Sequence, residues 1–183
     1  MATKKLKILF RTYGGKVKNK QTGLGHIFRC INLSYYLKQS TDIHFLVEDY
    51  GGVKQIINDY GFKNFSSLKK NISLDADLKK TIQYIDKNAI DVLIIDKHKT
   101  EIKYLKELKK IVKTVIITDL ENVNLPVDIL VNGYIGLKNQ KYKNKHNSLC
   151  LVGPSYQILN QKFSKKFKSV RKKYDILITF GGL

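Results

Sequence analysis

Arginine is scarce in this basic chain. Of 34 lysines and arginines in 183 residues, only Arg11, Arg29 and Arg171 are arginines, and just 15 acidic residues balance them, for a net charge of +19 at pH 7. A groove built for phosphate backbones or base edges uses the bidentate fork of arginine more freely. The scattered lysines therefore point to an enzyme of anionic substrates and not to a nucleic-acid binder. The densest basic stretch, Lys162 to Lys173, reads as a solvated face or linker.

Other absences narrow the classes further. No apolar run approaches the roughly 20 residues of a membrane helix, so no membrane association is expected. The N-terminus shows neither the apolar stretch nor the small-residue cleavage site of a signal peptide, and a cytoplasmic protein is the expectation. Cys30 and Cys150 are far apart, and with His26, His44, His98 and His146 they form no metal-ligand spacing. Reduced thiols and no bound metal are expected.

What is present is an alternation of short β-branched runs with helical periodicity. The runs are Leu6–Phe10, Ile43–Val47, Asp91–Asp96, Val115–Asp119, Asp128–Asn132, Leu149–Val152 and Ile176–Phe180. Continuous apolar runs suit strands covered on both faces, as in a parallel sheet. Between them, Ile27, Cys30, Ile31, Leu33 and Leu37 recur at helical spacing. So do Leu78, Ile82 and Ile85 after a Ser73 cap, and Ile102, Leu105, Leu108 and Val112 after Thr100. The expected fold is a doubly wound α/β domain with a mostly parallel, Rossmann-like sheet, spanning residues 1–167. Past the Gly153-Pro154 break, a helix is expected from Ser155 to Phe167. Residues 168–183 read as a linker and the first strand of a further, truncated domain.

Chemistry concentrates where strands end. Phe10-Arg11 closes the first run, and Gly23-Leu-Gly25-His26 leads into the first helix. In open α/β sheets ligands bind beyond the carboxyl ends of strands, and a glycine loop running into a helix lets backbone N–H groups approach a polar group. His26 lies where loop becomes helix, with Arg29 three residues on, near it on the helix surface. The same pattern also fits a simple turn and cap. Asp96 ends Val92-Leu-Ile-Ile-Asp96, followed by His98. Such a carboxylate can accept sugar hydroxyls, orient a histidine, or cap the next turn. Asp119 repeats the pattern more weakly.

Taken in order, these pieces resemble the UDP-2,4-diacetamido-2,4,6-trideoxy-altropyranose hydrolase family of pseudaminic-acid biosynthesis, which is similar in fold to two-Rossmann-domain glycosyltransferases of the GT-B type. The resemblance rests on Phe10-Arg11, Gly23-x-Gly25-His26-x-x-Arg29-Cys30, Leu93-Ile-Ile-Asp96 and Thr118-Asp119-Leu120. It continues through Asp128-Ile-Leu-Val-Asn132, Gly153-Pro154-x-Tyr156-x-x-Leu159 and Phe180-Gly181-Gly182. It implies an N-terminal, sugar-facing half in which His26 activates water against the anomeric carbon. Arg11, Gly23, Gly25, Arg29, Asp96 and Tyr156 would bind the UDP-sugar substrate, with no cofactor. The nucleotide would lie mainly on a C-terminal domain, missing here, whose glycine turn begins at Gly181-Gly182. The chain departs from the family at Thr12-Tyr13, where an aspartate is usual, and at Asp96-Lys97-His98-Lys99, which lacks the usual tyrosine. Two other readings remain: a glycosyltransferase of the same architecture, and a non-catalytic binding module.

Overall fold

The computed structural model describes residues 4–16, 23–98, 100–120, 124–137, 144–165 and 176. Among these residues, seven strands form one sheet: β1 (Leu6–Gly14), β2 (Thr41–Asp49), β3 (Asn64–Leu68), β4 (Val92–Asp96), β5 (Lys113–Ile117), β6 (Ile129–Asn132) and β7 (Leu149–Val152). All their pairings are parallel. Four helices cover the sheet: α1 (Gly25–Leu37), α2 (Val53–Asp59), α3 (Leu74–Asn88) and α4 (Ile102–Lys109). The strand order is β3-β2-β1-β4-β5-β6-β7. This is a doubly wound, Rossmann-like α/β fold.

Strand parity sorts the apolar side chains into two cores, because successive residues of a strand point to opposite faces. Ile8, Phe10, Phe45, Val47 and Ile94 join Ile27, Cys30 and Ile31 of α1 and Val53 and Ile57 of α2. On the other face, Leu9, Leu46, Leu93, Ile95 and Ile116 join Ile85 of α3 and Tyr104, Leu105 and Leu108 of α4. Burial on both faces explains why the central strands read as unbroken apolar runs.

Several local expectations differ from the structure. The short helix α2 and the edge strand β3 had no counterpart among the expected elements. β3 is Asn-Phe-Ser-Ser-Leu, with only Leu68 fully buried, so it carries neither a continuous run nor a clean alternation. Ser73 caps α3, its side chain accepting from the Ala76 N–H, but α4 begins one residue later than expected, with Glu101 at the cap position.

The helix expected over Ser155–Phe167 is replaced, as far as residue 165, by two 3-10 turns, Pro154–Tyr156 and Gln161–Ser164; residues 166 and 167 lie outside the described residues. Gln157 and Asn160 between them are extended. The Asn160 side chain accepts from the Lys162 N–H, a local bond that competes with helix propagation. Tyr156, Leu159 and Phe163, at helical spacing, are all exposed, so no apolar face is buried to favour a helix. Gly133 lets this strand-like passage lie close, since a Cβ there would sit 2.7 Å from the Gln157 Cα. The expected second unit, residues 168–183, lies outside the described residues apart from Ile176.

Arg11 is the largest fully buried side chain, and it sits on the α3–α4 face of the sheet. Its Nε donates to Asp77 Oδ1 at 2.8 Å and its Nη2 to Asp77 Oδ2 at 2.7 Å, with Glu48 Oε2 at 3.6 Å. Asp77, in the first turn of α3, also accepts from Lys97 Nζ and from the hydroxyls of Thr81 and Tyr104. This bidentate pair ties β1 to α3 and satisfies charges that would be costly to bury alone.

Burial by itself would raise the Asp77 carboxyl, but Arg11 and Lys97 outweigh it and lower its pKa to about 2. Because the folded value lies below the unfolded one, the pair's contribution is complete above about pH 4 and is lost as pH falls through about 2. That contribution is about 2 kcal/mol. Asp77→Asn should destabilise the protein by about 3 kcal/mol at pH 7, since it leaves the buried Arg11 and the partly buried Lys97 short of charge. In urea unfolding, the gap between wild type and variant should narrow as pH falls from 4 to 2. A gap independent of pH would show that Asp77 is not ionised in the fold.

Candidate active site

The chain enters the sheet at its middle, runs outward through β2 and β3, then returns to the other side of β1 at β4. Connections therefore leave β1 and β4 in opposite directions and open a crevice beyond their carboxyl ends, the place where open α/β sheets bind ligands. Thr12 and Asp96 are register partners at this switch point. One glycine brings α1 up against it, and the next packs against the backbone that follows β2. A Cβ on Gly14 would meet Ile27 Cγ1 at 2.8 Å and the Gly23 carbonyl oxygen at 2.9 Å, and one on Gly15 would meet the Tyr50 carbonyl carbon at 2.5 Å. Only glycine allows these approaches, and the one at Gly14 sets the first turn of α1 over the end of β4.

Asp96 is fully buried and receives four donors. His26 Nδ1 lies 2.6 Å from Oδ1; Arg29 Nη2 donates to Oδ1 at 2.7 Å and Arg29 Nε to Oδ2 at 2.8 Å. The Cys30 thiol lies 3.7 Å from Oδ2. Burial pushes the Asp96 carboxyl upward, but the hydrogen bonds from Arg29 and His26 prevail and hold it below the ordinary carboxylate value. An ionised carboxylate can only accept, so His26 Nδ1 must be the donor. When the ring is neutral, Nε2 then carries the lone pair. The Tyr13 hydroxyl lies 3.2 Å from it, its ring tilted 34° against the imidazole at 4.7 Å between centroids.

Arg29 also donates from Nη1 to both Asp119 oxygens, at 2.6 and 2.7 Å. Burial lowers its affinity for a proton, but Asp96 and Asp119 reverse this and raise its pKa further. Asp119 follows β5, and its side chain is 62% exposed, so the outward edge of the guanidinium is covered by a carboxylate in contact with solvent. Gly25, His26, Arg29, Asn32, Asp119 and Gln157 line a cleft of about 340 Å³.

The structure thus gathers His26, Arg29, Asp96 and Gly25. Gly23 is exposed just before α1, its carbonyl against Gly14. Arg11 is a correction: its guanidinium has no exposure and lies across the sheet from α1, so it braces the fold and does not line the cleft. Tyr156 is a second correction. It lines an adjacent hollow with Leu33, Tyr36 and Phe163, and the residues of its motif that reach the His26 cleft are Gln157 and Ile158. The histidine that Asp96 orients is His26 on α1; His98 is exposed. Gly181 and Gly182 lie outside the described residues. Tyr13 was missed, although its place directly before the Gly14-Gly15 turn was a usable signal. Among the described residues, no group of three or more His, Cys, Asp or Glu side chains could hold a metal ion. No protein-family model and no curated protein matches the chain.

Asp96→Asn should free His26 to take either tautomer and weaken the clamp on Arg29, lowering stability by about 2 kcal/mol. Nitrogen NMR of the His26 ring should show a protonated Nδ1 and a bare Nε2 in the neutral wild-type ring, and a mixture in the variant. A wild-type ring protonated on Nε2 would contradict the assigned hydrogen bond.

Proposed function

We propose that this chain is the sugar-facing domain of a cytoplasmic hydrolase that cleaves a UDP-linked diacetamido-trideoxy sugar, releasing UDP and the free sugar for nonulosonic-acid biosynthesis. The observation that carries this reading is the Asp96–His26 pair at the switch point, with Asp96 accepting from Nδ1 and Nε2 left to receive a proton. The motif resemblance supplies the substrate class.

In this reaction water forms a bond to the anomeric carbon as the bond from that carbon to the diphosphate oxygen breaks, its electron pair leaving with UDP. As water loses a proton, His26 gains one, and the buried Asp96 carboxylate stabilises the resulting imidazolium. Arg29 holds Asp96 in place from the same helix that carries His26. No step requires a metal ion. The diphosphate is assigned to a second domain of the kind found in two-Rossmann-domain enzymes, so the reacting bond would lie between the two.

The assay is UDP release from the diacetamido-trideoxy UDP-sugar by the longest reading frame that contains residues 1–183. His26→Gln should lower turnover by about 100-fold or more with the fold intact. Release in the absence of any sugar acceptor would distinguish hydrolysis from glycosyl transfer. Near-normal turnover in a folded His26→Gln variant would remove the general base.

Residues 1–183 alone should bind UDP weakly and turn over little, because a base is effective only on a positioned substrate. Activity should return when a C-terminal nucleotide-binding domain is supplied. Calorimetric titration with UDP reads this directly, and micromolar binding by residues 1–183 would put the nucleotide on this domain instead.

A further inference from the structure

Tyr13 stands on the one nitrogen through which His26 can act. It is the next-to-last residue of β1, and its position is fixed by register pairing with Glu48. The backbone just beyond it cannot retreat, because Gly14 and Gly15 already touch α1 and the Tyr50 backbone. The phenol hydroxyl lies 3.2 Å from His26 Nε2. Any water that gives a proton directly to Nε2 would have to take the place of this hydroxyl.

A phenol has one proton to donate and two lone pairs to accept with. Donation to Nε2 leaves the oxygen able to accept from a further donor. Its own ionisation is disfavoured: burial, then the nearby Asp96 carboxylate, raise the Tyr13 pKa above its ordinary value. At neutral pH it is therefore a protonated group between the imidazole and the next hydrogen-bonding partner.

We propose that Tyr13 is a catalytic residue that relays the proton, so that Asp96, His26 and Tyr13 form one line from buried carboxylate to attacking water. The inference rests on the hydrolase reading. As the oxygen of water bonds to the anomeric carbon, its O–H bond breaks and that proton passes to the Tyr13 oxygen. The original phenol proton passes to His26 Nε2, giving imidazolium against Asp96, and the phenol ends as it began. UDP departs with the electron pair of the broken bond. No further reactant is needed.

Tyr13→Phe tests this, since it keeps the ring against the imidazole and removes only the hydroxyl. The variant is compared with wild type and His26→Gln in the same full-length frame and UDP-release assay. The expected result is a fall in kcat on the order of 100-fold, with KM within about threefold of wild type. In mixtures of light and heavy water, the wild-type rate should curve with deuterium fraction, as for two protons moving together, and the variant's residual rate should vary linearly. A ring that serves only as packing would change neither.

If Tyr13→Phe keeps kcat within about threefold, or raises it, while His26→Gln abolishes turnover, the relay is overturned and the general base stands. If both variants turn over normally, the hydrolase reading fails and takes the relay with it. A lost resonance shift of His26 Nε2 in Tyr13→Phe, read without substrate, would confirm the hydrogen bond in solution. An unchanged resonance would overturn it.

Discussion

A carboxylate buried at the end of β4 organises this crevice. Asp96 has no exposure, so its charge must be met by donors close at hand, and α1 supplies them from one face: His26, Arg29 and the Cys30 thiol. Positions three and four apart on a helix share a face, and a single helix can therefore clamp both oxygens. The clamp needs α1 to begin close to the strand ends, which Gly14 permits. It also needs β1 and β4 to be neighbours, which follows from the reversal of winding at the sheet's centre. Fold, helix placement and histidine tautomer are thus linked through one ionised group.

The two arginines of the described region do similar work on opposite sides of the sheet. Arg11 grips Asp77 by its fork, and Arg29 grips Asp96 and Asp119. A planar guanidinium can satisfy two carboxylate oxygens at once, whereas a lysine ammonium makes a point contact. The scarcity of arginine thus acquires a physical sense. Among the described residues, both arginines stand where a buried carboxylate is held in a fixed orientation. The same logic separates the two: Arg11 itself has no exposure, while Arg29 keeps one edge at the cleft.

The alternation of buried strands and amphipathic helices was legible because the central strands are apolar on both faces. His26, Arg29 and Asp96 were legible as strand-end and helix-start residues. Arg11 misled because position along a strand says that a residue is near the carboxyl edge but not which face it takes. Leu9 and Arg11 share one face and Ile8 and Phe10 the other, yet only the crossover decides which face α1 covers. β3 escaped notice because an edge strand that is half exposed has no continuous apolar signal. The segment after Gly153 was read as a helix, but Tyr156, Leu159 and Phe163 stay exposed, so little apolar burial is on offer to hold one. Tyr13 had the Gly14-Gly15 turn beside it as a sign of the strand end, but its pairing with His26 shows in the fold, where the end of β1 meets α1.

For the proposed substrate, the charges at the crevice bear on which part of the nucleotide sugar would lie there. With a neutral imidazole, the groups in direct contact are one cation, Arg29, and two anions, Asp96 and Asp119. The outward edge of Arg29 is already occupied by Asp119, so an incoming diphosphate would find a carboxylate ahead of it. Among the described residues, no lysine lines this cleft. A site with that balance suits a neutral, hydroxyl- and amide-bearing sugar better than its leaving group, and it gains a positive charge only when His26 takes up a proton. In the proposed reaction that charge would arise against Asp96, inside a fixed pair, as the bond to the diphosphate breaks. The local electrostatics thus favour the proposed division of labour, with the sugar and the base on this sheet and the diphosphate held by groups elsewhere.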